Sequence, residues 1–283
     1  MFDTSPLRTE TVRVTTGSAE LAVTIAGSGP PLVLLHGWPH TRHIWHRVAP
    51  ELARAHRIVA PDLRGLGESS RPAHGYDAGT VAADIVGLLD RLGIGRAALM
   101  ALDVSVPAAV LTALRHPDRV ERLVVMESLL GDLPGAEEFL ATGPPWWFGF
   151  HAVPGLAENV LIGHEADYID WFLTSGTRQR DSIDPTLRAH LLRAYTGTDA
   201  LRGGFAYYRA LPETARQLSA ATTAAALTVP TLAVGAGAVG DALHRQLATI
   251  ADAVAGHLIP ECGHIVPLDR PDALLARVTP FLA

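Results

Sequence analysis

The 283-residue chain contains no lysine; its 23 basic residues are all arginine, against 29 acidic ones, for a net charge of -6. No basic tail or clustered cationic stripe is available to hold phosphates, which argues against nucleic acid as a partner. Cysteine occurs once, at Cys262, which excludes an intramolecular disulfide framework or a metal-thiolate cluster and suits a reducing compartment. No stretch reaches the ~20 apolar residues needed to span a bilayer, and Met1 to Glu10 lack the basic start and apolar run of a secretory signal. The cytoplasm is the expected location, with no membrane partner. The 13 histidines are scattered, and the pairs His36/His40 and His40/His43 surround a Trp-Pro turn without an HExxH pattern, so no metal site is expected. There is no repeat of fixed period and no low-complexity linker, although Ala220 to Ala226 is alanine-rich and reads as a helix or helix end.

With 48% hydrophobic content, the chain has material for a large core, and one α/β domain with an inserted subdomain fits better than several small domains. Thr11 to Val14 and Leu21 to Ile25 alternate about Gly17-Ser18, as in an antiparallel hairpin. Pro31 to Leu35 and Arg57 to Ala60 are instead continuous apolar runs, as in strands buried on both faces of a parallel sheet. Val81, Ile85, Leu88 and Leu89 recur at helical spacing within Val81 to Leu92. Further strands are expected at Ala97 to Leu102, Leu123 to Met126, Val229 to Val234 and His257 to Ile259. Helices are expected over Pro107 to His116, Asp241 to Val254 and Pro271 to Val278. This alternation implies a mostly parallel eight-stranded α/β sheet with helices on both faces.

Between Gly131 and Leu218 there is no strand-like run, only helical segments rich in Trp, Phe and Tyr. The expectation is a helical cap over residues 131–218, inserted between two parts of one core, 1–130 and 219–283. Open α/β sheets bind ligands beyond the carboxyl ends of their strands, so such a cap would roof the site.

Chemistry-bearing residues fall at those strand ends. Asp103 follows Ala97 to Leu102 directly, and Val104-Ser105-Val106-Pro107 lead into a helix: the strand, nucleophile, helix turn of a nucleophile elbow, with Ala101 and Ser105 where glycines are usual. His36-Gly37-Trp38-Pro39 follows a buried strand, and its turn can aim the Trp38 N–H, with that of Val104, at one accumulating negative charge. Glu127 ends the strand after the elbow helix, and Gly263-His264 follows the last strand. Each has a bland reading alone: Asp103 or Glu127 as a helix N-cap, His36 as a structural hydrogen-bonder, His264 as a surface loop residue. Their order at successive strand ends is what points to a site.

With these residues in place, the chain resembles the α/β-hydrolase superfamily, and within it the branch of epoxide hydrolases and haloalkane and haloacetate dehalogenases. The resemblance runs from the His-Gly-Trp-Pro turn through Pro61-Asp62-Leu63-Arg64-Gly65-Leu66-Gly67-Glu68-Ser69, the elbow, the cap and Cys262-Gly263-His264. It implies Asp103 as nucleophile, His264 as the base that activates water, and an α/β-hydrolase fold with no cofactor. Many relatives place the acid after the penultimate core strand, where Asp241 is the only carboxylate, and other members of the branch place it at the end of the strand after the elbow, where Glu127 stands; both remain candidates, with Glu127 preferred because Asp241 reads as the start of a helix. Esterases carry serine at the elbow, and Ser105 lies two positions late.

The leaving group separates the two activities of the branch. An epoxide oxygen needs a hydroxyl or imidazole donor, whereas a halide suits indole N–H groups. The resemblance places such partners in Pro144 to His151 and Gly204 to Ala210, which makes Trp147 and Tyr208 the first candidates, with Trp146, Tyr207 and His36 behind them. Packing within the cap is the competing role for each aromatic. Trp38 stands where haloalkane dehalogenases carry asparagine, and Val104 and Val106 flank Asp103 where a haloacetate carboxylate would need a cation. The expected function is an epoxide hydrolase for a bulky, apolar, polycyclic or otherwise aromatic small molecule, with a dehalogenase as the alternative. A silent ligand-binding protein of the same fold is the reading from another class, and the intact Asp103, Glu127 and His264 argue against it.

Overall fold

Apolar runs bounded by turn residues pair into one eight-stranded sheet in the computed structural model, which describes residues 8–179 and 182–283. Most of the N-terminal stretch that lacks a secretory pattern, residues 1–7, lies outside the described residues. The strands are β1 (Thr9–Thr16), β2 (Ala19–Ala26), β3 (Pro31–Leu35), β4 (Arg57–Pro61), β5 (Ala97–Leu102), β6 (Val120–Met126), β7 (Thr231–Gly235) and β8 (Val254–Leu258), in the order β1-β2-β4-β3-β5-β6-β7-β8. The hairpin β1-β2 joins β4 antiparallel, and every later pairing is parallel. All six residues of β5 are buried, as its unbroken apolar run requires.

Helices α1 (Ala49–Leu52), α2 (Ala78–Arg91) and α3 (Val106–Arg115) accompany the first half of the sheet. Asp77 caps α2 by accepting from the Thr80 N–H, and the helix buries Val81, Ile85, Leu88 and Leu89, the face its spacing marks. Among the described residues, six helices then separate β6 from β7: α4 (Trp146–Ala152), α5 (Leu156–Leu161), α6 (Glu165–Ser175), α7 (Pro185–Ala194), α8 (Thr198–Arg209) and α9 (Leu211–Ala224). The core closes with α10 (Ala242–Ala248), α11 (Val266–Asp269) and α12 (Pro271–Leu282). No described helix is long and apolar enough to cross a membrane.

Register brings the site together. Leu35 pairs with Ala101, Leu102 with Met126, and Met126 with Val234, so β3, β5, β6 and β7 end nearly level and the residues after them share one edge. The helical segment is fastened above that edge by hydroxyls: Tyr207 donates to the Arg64 carbonyl at 2.9 Å and Tyr195 to the His40 carbonyl at 2.7 Å. Helix α8 can approach this closely because residue 203 is glycine; a Cβ there would meet the Gly65 carbonyl at 2.3 Å.

The structure departs from the sequence expectation on the far side of the sheet. The expected helix from Asp241 to Val254 ends at Ala248, and Val254 already opens β8. As an edge strand with four of five residues exposed, β8 lacks the buried apolar signature and is specified by backbone pairing with β7. Likewise β7 starts at Thr231, after Pro230, and α9 runs through position 218 to Ala224, so the alanine-rich stretch largely belongs to that helix.

The loop after β4 rests on a buried ion pair, Arg64 Nε to Asp84 Oδ2 at 2.5 Å and Arg64 Nη2 to Asp84 Oδ1 at 2.7 Å, with Thr16 donating to the same carboxylate. Asp84→Ala strands the guanidinium in the core and is expected to lower stability by about 3–5 kcal/mol in urea denaturation; a loss under about 1 kcal/mol would show that water replaces the partner.

Candidate active site

Asp103 takes a left-handed backbone conformation, φ 60°, between the last residue of β5 and the start of α3. Such strain costs of order 1–3 kcal/mol and persists only when neighbours impose it. Ser105, fully buried, accepts from the Leu102 N–H at 3.2 Å and lies 2.9 and 3.0 Å from the Leu102 and Leu35 carbonyls. Ser128 donates to the Asp103 carbonyl at 2.9 Å. The serine in place of the usual glycine is therefore a brace for the elbow. Opposite it, a Cβ on Gly37 would stand 2.4 Å from the Asp103 Cβ, so this glycine lets the turn after β3 lie against the carboxylate.

The Trp38 N–H donates to Asp103 Oδ1 at 2.9 Å, and the Val104 N–H also hydrogen-bonds this carboxylate. Asp103 Oδ2 lies 3.3 Å from His264 Nε2, and His264 Nδ1 lies 3.4 Å from Glu127 Oε2. Glu127 is itself left-handed, φ 48°, and buried; it accepts from the Ala236 and Val239 N–H groups at 2.5 and 3.2 Å. Asp241, the other candidate acid, is exposed and pairs with Arg245 one helical turn on.

Burial raises the Asp103 carboxyl, but the hydrogen bond and charge of His264, followed by the Trp38 and Val104 N–H groups, outweigh it and leave the pKa below its ordinary value. Burial alone would neutralise His264; hydrogen bonds to Asp103 and Glu127 and their charges instead raise its pKa to about 10. The resting site is thus an imidazolium between two carboxylates. This arrangement can supply a nucleophilic carboxylate and, once one carboxylate is neutralised, a basic imidazole.

A cavity of about 1160 Å³ opens onto these groups. Trp38, Val104, Trp147, Tyr207 and Tyr208 line it. Burial, then the Asp103 charge, pushes the Tyr208 phenol well above its ordinary range, opposed by a hydrogen bond from Trp147; the phenol stays a proton donor. Tyr207 has already spent its hydroxyl on Arg64. Two expected substrate contacts lie elsewhere. His36 is fully buried, with Nδ1 on the Gly37 carbonyl at 2.8 Å and Nε2 accepting from the Leu63 N–H at 3.1 Å, so both ring nitrogens serve the loop scaffold. Trp146 is 55% exposed and packs on the outside against Trp171 and Trp147, because one helical step from Trp147 turns it about 100° away.

Some contributors carried no readable signal. His40 lines the cavity with its ring 6.4 Å from that of His264, and burial lowers its pKa to about 3, so it stays neutral. The Trp38 indole is packed edge-on against Phe172 and His151, at 4.7 and 4.8 Å, which anchors the turn while the Trp38 backbone N–H donates to Asp103. Ser128 sits one residue beyond Glu127, where nothing in the sequence distinguishes it from a loop serine.

Gly37→Ala is expected to displace the carboxylate and cut turnover of any substrate attacked by Asp103 about 100-fold with the fold retained; unchanged turnover would mean the turn yields freely. Glu127→Gln removes one of the two charges that hold His264 protonated, so the ring pKa should fall from about 10 by at least one unit in an NMR titration. An unmoved titration would detach Glu127 from the histidine.

The description alpha/beta hydrolase fold matches residues 30–271. A soluble epoxide hydrolase of Corynebacterium sp. (strain C12) is 29% identical over 271 residues, 91% of this chain and 92% of the relative. A fluoroacetate dehalogenase of Burkholderia sp. is 32% identical over 206 residues, 70% of this chain and 67% of the relative. The crystal structure of Cfl2 wild-type from Burkholderia cenocepacia superposes with a TM-score of 0.88 at 33% identity, covering 99% of this chain and 100% of that one. With its sheet order, its strained elbow and a family match over most of its length, the chain belongs to the alpha/beta hydrolase fold family.

Proposed function

We propose that this protein is an epoxide hydrolase that opens a bulky, apolar epoxide to a diol through an ester on Asp103, beneath a cap made by residues 131–218. The observation that carries the reading is a single large cavity shared by the ionised Asp103, the charged His264, the buried Tyr208 phenol and the Trp147 indole. The full-length similarity to a soluble epoxide hydrolase supports it. Asp103 Oδ2 attacks an epoxide carbon as the C–O bond breaks, and Tyr208 protonates the departing oxygen with the Trp147 N–H beside it. The ester retains Oδ1 as its carbonyl oxygen, already bonded to the Trp38 N–H and next to that of Val104, so donors stand ready for the oxyanion formed when water adds. His264 removes the proton of that water while Glu127 holds the ring. Collapse passes the remaining hydroxyl proton to the departing oxygen, which frees the diol and the Asp103 carboxylate and leaves His264 as the imidazolium of the resting site.

Ester formation also switches the histidine. It removes the Asp103 charge, a main cause of the raised His264 pKa, so the ring gives its proton to the Tyr208 phenolate left by ring opening and is neutral when a base is needed. Hydrolysis of the ester should therefore quicken with rising pH, with an apparent pKa below the value of about 10 in the free enzyme; rapid-quench measurement showing a midpoint at or above that value would contradict the switch.

The dehalogenase alternative draws on the Trp147 indole and on the fluoroacetate dehalogenase relative. The cavity weighs against a small haloacid: about 1160 Å³ exceeds the roughly 300–1,000 Å³ of a drug-sized site. Among the described lining residues the one arginine, Arg216, is exposed and paired with Glu213, so no arginine stands beside Asp103 to take a haloacid carboxylate, and the charged His264 is already held between Asp103 and Glu127. The single cysteine, buried and free, suits the cytoplasm as the place of action.

His264→Gln blocks activation of water and should trap the ester. Intact-protein mass spectrometry after exposure to an aryl epoxide is expected to show the whole epoxide added, mapped to the Asp103 peptide and absent in Asp103→Asn. An adduct from the matching alkyl chloride alone, with hydrogen chloride lost, would make the protein a dehalogenase. No adduct from either would defeat the ester mechanism.

A further inference from the structure

His264 sits on a loop between β8 and the single turn of α11, and a loop of that kind needs something to hold it. Asp269, the last residue of α11, is buried and turns its carboxylate back under the loop. Its Oδ2 accepts from the Gly263 N–H, directly before His264, at 2.6 Å. The same carboxylate accepts from the Gln179 N–H at 2.8 Å, the Ser182 hydroxyl at 2.6 Å and the Arg178 N–H at 3.1 Å to either oxygen. Those three donors belong to the link between α6 and α7, across the seam from the core. Burial raises the Asp269 pKa, but these donors together outweigh it and hold the pKa below the ordinary value, so the carboxylate acts as an anion.

Two further contacts close the same seam. The Ile265 N–H donates to the Gly176 carbonyl at 2.9 Å, and Gly263 lies so near Gly176 that a Cβ would stand 2.5 Å from its carbonyl oxygen. Gly176 follows α6 directly, and α6 presents Trp171 and Phe172 to the cavity. The histidine loop and one wall of the substrate cavity are thus joined through Asp269. The supports of the Asp103 backbone are separate, since Gly37, Ser105 and Ser128 hold it from the turn after β3, the turn before α3 and the residues after β6.

We infer that Asp269 is a positioning residue for His264: it pins the histidine loop to the α6 wall and thereby governs hydrolysis of the Asp103 ester while leaving its formation alone. The kinetic consequence rests on the ester mechanism proposed above; the placement of the ring does not.

Asp269→Asn preserves volume but turns an amide N–H₂ toward N–H donors, and Ser182→Ala removes one donor without changing charge. In single-turnover experiments with an aryl epoxide, Asp269→Asn is expected to form the ester within twofold of the native rate and hydrolyse it at least tenfold more slowly, so that the adduct accumulates in the mass spectrum. Ser182→Ala should show the same split at smaller size. In the substrate-free protein, both variants should shift the His264 imidazole resonances and lower its pKa from about 10; for Ser182→Ala that shift reports displacement, since no charge is lost. A purely structural role would lower the melting temperature and slow both half-reactions together, and that result, or an unmoved His264 titration in folded Ser182→Ala, overturns the inference. If Asp269→Asn does not fold, Ser182→Ala decides. Should the native protein never alkylate at Asp103, the epoxide reading fails while the titration still judges Asp269.

Discussion

One imidazole between two carboxylates governs the rest of this structure. His264 is charged in a cavity that would otherwise neutralise it, because Asp103 and Glu127 lie 3.3 and 3.4 Å from its two ring nitrogens. Neither carboxylate reaches that place from ordinary strand geometry. Both take left-handed backbone conformations, φ 60° and 48°, at the ends of adjacent parallel strands whose last residues, Leu102 and Met126, are paired. Strain at two neighbouring strand ends is bearable only because the strands directly beneath, all of β5 and residues 123–126 of β6, are buried and cannot give way.

The donors around these carboxylates follow the same logic. Asp103 is met by N–H groups from the turn after β3 and from its own elbow, Glu127 by two N–H groups from the loop after β7. That loop is where many members of the resembling superfamily carry the acid itself. Here the carboxylate arrives from β6, and the loop contributes backbone dipoles to hold it. Fixed dipoles need not reorganise when charge moves during a reaction, which is the property such a site requires.

The helical segment above the sheet is held by polar ties at its edges and by aromatic packing at its centre. Tyr195 and Tyr207 fasten it to core carbonyls, and the Trp38 indole rises into a cluster with His151, Phe172 and Tyr208. One residue therefore serves both layers: the backbone of Trp38 binds Asp103 while its side chain is buried among the helices. Placing a cavity at this junction lets apolar walls from one layer meet charged groups from the other.

The sequence by itself determined the hairpin, the buried parallel strands, the first core helices and the alignment of Asp103, Glu127 and His264 with strand ends. Each rests on a local pattern: alternation, an unbroken apolar run, or a turn residue after a strand. It also marked Trp147 and Tyr208 through the resemblance it carries. Only the tertiary structure decided what depends on neighbours distant in the chain. The edge strand β8 is exposed and defined by pairing with β7, so it has no apolar signature, and its start was taken for helix. His36 and Trp146 fell outside the cavity because orientation, which a residue's identity does not encode, turned one ring into the loop scaffold and the other toward solvent. Asp269 reads in sequence as the end of a short helix; its bonds to residues 178, 179 and 182 span about 90 positions, a separation that no periodicity records.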